Sequence, residues 1–263
     1  MAPIFTGIAR AIGGFAFNAA GDSGPTVFAA SGGTETTPGN GYKYHLFTAE
    51  GPSPFVVSED GATCEIFMVS GGGGGGNDIG GGGGCTLYYH DAYSLDAGTY
   101  AVAVGYKGVT YPTPDGTPGP PSGAKGDGGS TSISSPTAIV VETGKGLAGE
   151  PAGAGGGISG RGGAGSKIIN GVTTPYAGGN GNGASGGSRL GGGGGGIAGA
   201  GENYDTDGPN QGGDGGAAGQ YPAFAGPLIG SPTTAPTGYY GGGGGGGTES
   251  PGWTSGTGGG AGA

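Results

Sequence analysis

Residues 71–76, 191–196 and 241–247 are uninterrupted glycine, and such runs limit what the chain can build more than any other feature. A run without side chains has no apolar stripe, and α-helix costs it about 1 kcal/mol per residue relative to alanine. Polyproline II remains open to it, with three residues per turn and every backbone N–H and C=O directed outward. Buried backbone groups must pair. Several such helices side by side satisfy one another, provided glycine stands wherever two backbones approach. The chain holds 79 Gly and 19 Pro in 263 residues. A glycine inside a regular element costs roughly 0.5–1 kcal/mol relative to alanine, so this packing must offset a penalty on the order of tens of kcal/mol. Wholesale disorder, the other outcome for such a composition, fits poorly with 10% charged residues and 32% hydrophobic residues recurring between the runs. Collagen is excluded, because spacers such as Asn77-Asp78-Ile79 break any Gly-X-Y period.

Several function classes drop out on composition. With 8 Lys plus Arg and a net charge of −10, a phosphate-binding surface is hard to assemble, so nucleic acid is not an expected partner. No stretch reaches ~18 apolar residues, so no membrane insertion is expected. The apolar opening is interrupted by Arg10 and Gly13-Gly14 and has no basic start, which fits a signal peptide poorly. Cys64 and Cys85 make neither a disulfide framework nor a metal pair and read as small buried strand residues. His45 and His90 stand at no triad or metal spacing and read as sheet histidines. The expectation is a non-enzymatic protein without cofactor or metal. The acidic stretch Glu202, Asp205, Asp207 and Asp214 could offer oxygen ligands to calcium, but it lacks the closing glutamate of the twelve-residue loop and reads as solvated surface.

The chain divides into three stretches. In residues 1–40, Ile4, Ile8 and Ile12 recur at four-residue spacing, which fits an amphipathic turn of helix. With Phe5, Phe15 and Phe17 they form an apolar set suited to attachment to a larger assembly or to bracing the next domain. Residues 41–143 carry seven short β-type runs: 42–48, 54–58, 63–69, 85–89, 99–104, 130–134 and 137–141. These predict a small antiparallel β-sandwich or jelly-roll-like domain with a polyglycine insertion. Tyr100 to Val104 is apolar throughout and suits a strand covered on both faces, and Asp60-Gly61 reads as a hairpin turn. Residues 144–263 predict a glycine-rich polyproline-II bundle with almost no α-helix, joined by wider loops that include 167–176 and 221–240. The aromatics Tyr176, Tyr204, Tyr221, Phe224, Tyr239, Tyr240 and Trp253 fall on such loops, where flat, amphipathic rings stack on sugars, anchor protein contacts or cover the lattice edges.

The order of Tyr42-Lys43-Tyr44-His45-Leu46-Phe47, Phe55-Val56-Val57, Cys64-Glu65-Ile66-Phe67-Met68-Val69, polyglycine, and Gly98-Thr99-Tyr100-Ala101-Val102-Ala103-Val104-Gly105 resembles the glycine-rich domain of bacteriophage tail-fibre and related virion proteins. The later runs resemble the polyproline-II sandwich of T-even-like phage tip adhesins. That resemblance implies a structural role in the phage particle, outside the cell, with a bacterial surface glycan or outer-membrane protein as receptor. It also implies a homo-oligomer, with a trimer favoured, attached through residues 1–40. A passive decoration protein or extracellular filament subunit is the alternative. An ice-binding protein is a weaker one, because its flat array of Thr or Ala would need regular spacing.

Overall fold

The computed structural model describes residues 4–10, 29–58, 60, 62–75, 83–109, 126–149, 162–181, 190–205, 209–231, 235–248, 252 and 254–259, with the backbone alone for 4–10 and 62. The architecture is mainly β. In chain order the strands are β1 (Ile4–Arg10), β2 (Ala30–Ser31), β3 (Thr34–Thr36), β4 (Tyr42–Phe47), β5 (Gly51–Val57), β6 (Ala62–Val69) and β7 (Thr86–Leu95). There follow β8 (Gly98–Val104), β9 (Ser132–Ser134), β10 (Ile139–Glu142), β11 (Gly165–Ile169), β12 (Val172–Tyr176), β13 (Gly219–Gln220) and β14 (Tyr239–Tyr240). A single 3-10 turn at Pro222–Phe224 is the only helical element among the described residues. No helix there is long and apolar enough to cross a membrane.

Seven strands form one sheet in the order β12-β11-β7-β6-β1-β4-β3, and five form a second in the order β10-β9-β8-β5-β2. The seven-stranded sheet draws strands from all three stretches of the sequence. Each of the seven expected runs between 42 and 141 contains a strand, but three expectations fail. Ile4–Arg10 is a strand, not a helical turn, because β4 and β6 pair its backbone on both sides. Asp60 is not in a hairpin, since β5 and β6 belong to different sheets; its Oδ1 instead accepts Ala97 N–H at 2.7 Å. Residues 167–176 are not a loop: β11 and β12 pair around Asn170 (φ 46°) and Gly171 (φ 81°), two left-handed residues that close a tight hairpin.

Side chains of the seven-stranded sheet are buried on both faces. Toward the five-stranded sheet it sends Phe47, Cys64, Ile66, Met68, Tyr88 and Leu95, which meet Phe55, Val57, Tyr100, Val102, Val104, Ile133 and Val141. From its other face Tyr44, Leu46, Phe67, Val69 and Leu87 pack against Ile197, Phe224, Ile229, Ala235 and Tyr240 from the C-terminal half. The continuous apolar run Ile66 to Val69 in β6 is therefore the mark of a middle layer. Tyr100 to Val104 departs from expectation in the opposite sense. Tyr100, Val102 and Val104 are buried, whereas Ala101 is exposed, because the outer face of the five-stranded sheet has no such cover there.

His45 on β4 reaches into the sandwich interior with its side chain fully buried. Its Nδ1–H donates to the Gly32 carbonyl at 2.9 Å, and its ring meets Phe55 edge-on at 5.4 Å. Nε2 is buried with no hydrogen-bond partner among the described residues. Glu35 lies 3.8 Å from Nδ1 and is held by Lys43 at 2.6 Å. Burial pushes the His45 pKa below its ordinary 6.5.

The glycine segments pair through their backbones with a step of three. Gly191, Gly194 and Ile197 donate N–H to the carbonyls of Gly247, Gly244 and Gly241, at 2.9, 2.7 and 2.9 Å, in antiparallel order. Gly213 and Gly216 donate to Gly191 and Gly194, in parallel order. Side-chain positions follow the same period. All of residues 190–197 are buried and their interior is glycine throughout. In 211–217, Gly212 and Gly215 face 243–259, Gly213 and Gly216 face 196–203, and Gln211, Asp214 and Ala217 form the third row. In 105–109 only Gly105 and Gly108 are glycine, and an added methyl on either would fall on the 126–129 backbone. The glycine content of each segment thus follows the number of backbones packed against it.

Two predictions follow from these contacts. A methyl on Gly71 would collide with the Tyr106 carbonyl, whereas one on Gly72 has nothing within 4 Å. In urea unfolding, Gly72→Ala is expected to be neutral or stabilising by up to about 1 kcal/mol, and Gly71→Ala destabilising by about 1–3 kcal/mol. The second concerns pH. Unfolded His45 takes up a proton below about pH 6.5 and the folded residue resists it, so stability falls as pH drops below that value, by at most about 1.4 kcal/mol per unit. His45→Gln is expected to flatten this slope when urea midpoints at pH 7.5 and 5.5 are compared with wild type.

Candidate recognition groove

The aromatics of the C-terminal half fall into two groups. Phe224 and Tyr240 are 2% and 3% exposed and belong to the core on the outer face of the seven-stranded sheet. Phe224 stacks on Phe67 with ring centroids 4.4 Å apart, and Tyr240 O–H donates to the Phe224 carbonyl at 2.5 Å. The Tyr221 ring lies 5.0 Å from Phe67 and 6.1 Å from Tyr89. Burial raises the pKa of both Tyr221 and Tyr240. Residues 221–231 and 235–240 are therefore a cap on the sheet rather than a free loop, and Phe224 and Tyr240, expected on a loop open to a receptor, are core residues instead. The cap also reaches β3 and β4: Tyr44 O–H donates to the Ala223 carbonyl at 3.1 Å, and Thr36 O–H to that of Ile229 at 3.5 Å.

Tyr176, Tyr204 and Tyr239 are half-buried. Tyr176 ends β12 with the Lys167 ammonium 5.6 Å from its ring centre, and Tyr204 is tied by its backbone N–H to the Asn180 carbonyl at 3.0 Å. Of the attachment set, Ile4, Phe5 and Ile8 lie on β1, described by its backbone, while Ile12, Phe15 and Phe17 lie outside the described residues, as do Trp253 and Asp207. The structure brings no pair among Tyr176, Tyr204 and Tyr239 into ring contact among the described residues.

Tyr239 opens onto a surface groove of about 650 Å³. Backbones of Gly199, Gly215, Gly258 and Gly259 and methyl groups of Ala200, Ala217 and Ala218 line it, together with Glu202, Asp214 and Thr257. Strand alternation sets the aromatic wall, since Tyr240 points into the core and its neighbour Tyr239 away from it. The third row of 211–217 sets the acidic side. Asp214 Oδ1 accepts Thr257 N–H at 2.6 Å, and the Asp214 carbonyl accepts Glu202 N–H at 2.8 Å. The lining contains no lysine or arginine among the described residues. Its chemistry is that of a small, negatively charged trough with a flat backbone floor and one phenol wall.

Elsewhere the reactive side chains are separated. Asp205 closes its own turn, accepting Gln211 N–H at 3.1 Å, and no group of three metal-ligating side chains forms among the described residues. Cys64 and Cys85 are buried free thiols whose pKa values burial pushes up to about 12, so neither is a nucleophile at neutral pH. His90 on β7 accepts Ala92 N–H at 3.2 Å and meets the Tyr93 ring edge-on at 5.2 Å. Thr257, Ala200 and the acidic pair as a groove wall are absent from the sequence-based set. For Asp214 the signal was the row Gln211, Asp214, Ala217 left open between two rows of glycine.

Comparison with protein-family models, curated proteins and solved structures yields no match for this chain.

The cap predicts a specific weakness outside the glycine runs. Phe224→Ala is expected to cost about 3–5 kcal/mol in urea unfolding.

Proposed function

We propose that this chain is a structural component of a bacteriophage particle, a tail-fibre or tip protein that meets the host surface through side chains raised on a glycine-rich scaffold. The glycine segments are read here as a bundle of polyproline-II helices, since a step of three between paired backbones is the period of that helix, whereas a strand repeats every two residues. The observation that carries the reading is the burial of residues 190–197, whose backbone is paired to surrounding segments without a side-chain core. Such a bundle is rigid and leaves its open rows free to vary without disturbing the packing. A scaffold of fixed backbone with variable surface rows suits recognition. Attachment to identical copies and other particle proteins is assigned to residues 1–40.

The test is adsorption. Fluorescently labelled protein is mixed with a panel of bacterial strains, and binding to at least one strain is expected. The triple change Tyr176→Ala, Tyr204→Ala, Tyr239→Ala should abolish it while shifting the thermal midpoint little, since all three rings are part-exposed. Undiminished adsorption by the triple variant, or none by wild type to any strain, would remove the adhesin role.

A further inference from the structure

The groove beside Tyr239 has a chemistry of its own, and resting on the adhesin reading, we infer that it binds a neutral, hydroxyl-rich pyranose at the end or along the side of a surface glycan. Three features select that class. The phenol face of Tyr239 gives the C–H face of a sugar ring an apolar, flat partner. Asp214 supplies an acceptor for sugar hydroxyls and Thr257 a hydroxyl that both donates and accepts. The carboxylate of Asp214, with no lysine or arginine in the lining among the described residues, repels phosphorylated or carboxylated sugars.

The floor explains why a shallow site can hold a ligand. Glycine 199, 215, 258 and 259 bring only backbone to the surface, and the alanines only methyl groups. Little side-chain rotamer freedom is lost there on binding. The floor is also fixed from below: Gly215 N–H donates to the Thr257 carbonyl at 2.8 Å, Ala218 N–H to that of Gly259 at 2.9 Å, and Gly259 N–H to that of Gly243 at 2.8 Å. Thr257 is further held through its own N–H on Asp214, so the donor, the acceptor and the floor form one connected unit. Ala217 is exposed at the groove with its methyl group beside Gly199, so a larger residue there would fill the trough.

Saturation-transfer NMR on the full chain tests this with methyl glucoside, galactoside and mannoside as probes, N-acetylneuraminic acid as the anionic arm and trilysine as the cationic arm. Transfer to ring protons of at least one neutral hexoside is expected, with none to the anionic sugar. It should fall about tenfold or more in Tyr239→Ala and in the groove-filling Ala217→Trp, and persist in Tyr106→Ala, a change at an exposed tyrosine outside the groove lining. Equal transfer in Tyr239→Ala and Ala217→Trp, no transfer from any hexoside, or stronger binding of trilysine would each overturn it. Circular dichroism identifies any variant that fails to fold, and the other groove variant then decides. Wild-type adsorption to cells that survives both groove changes would overturn the groove and leave the adhesin reading standing. Hexoside binding without adsorption to any strain would do the reverse.

Discussion

Backbone amides of residues 191–197 must find carbonyls, and they find them on 241–247, 199–202 and 163, while 213, 216 and 179 donate to the same segment in return. Most of the C-terminal half is positioned around that pairing. In a segment surrounded in this way a Cβ on Gly192, Gly193, Gly195 or Gly196 would strike a neighbouring backbone, which is why two of its rows admit only glycine. One row away, residues 211–217 keep two rows of glycine and release the third to side chains. Where 105–109 meets neighbouring segments, a single row suffices. Composition that looks like low complexity is therefore a record of how many backbones surround each position.

The glycine bundle and the β-sandwich share one sheet. Middle-layer packing gives the seven-stranded sheet two apolar faces, and the second face has to be covered. Ile197, at the end of the central glycine segment, is fully buried against it, and Gly241 (φ 70°) passes so close that a side chain there would strike Ile197 and Cys85. The cap of Phe224 and Tyr240 completes the cover. Because Tyr240 is committed to the core, its neighbour on a two-residue strand is directed outward, and the groove gains its aromatic wall as a by-product of core packing.

Much of the β-sandwich was legible because short apolar runs between turn residues mark strands whatever their partners. What eluded sequence reasoning was set by partners far along the chain. Tyr44 and Ala223 are 179 residues apart and hydrogen-bonded, and no local pattern marks residues 221–240 as cover for β4 and β6. Isolated aromatics among small residues look alike whether they plug a core or face water. Ile4–Arg10 illustrates the same point, since a spacing of four suits a helix until two strands supply its backbone with partners.

The amino-acid sequence by itself determined where backbones are able to touch, because only glycine lets them, and where strands run, because alternation and β-branched residues impose the period. Tertiary structure alone decided which faces those strands cover, which aromatics are core and which side chains converge on the groove. Glycine writes contact into the sequence as an absence of Cβ. The identity of the contacting partner is written nowhere locally, since it depends on long-range hydrogen bonds and burial that arise only when the whole chain is packed.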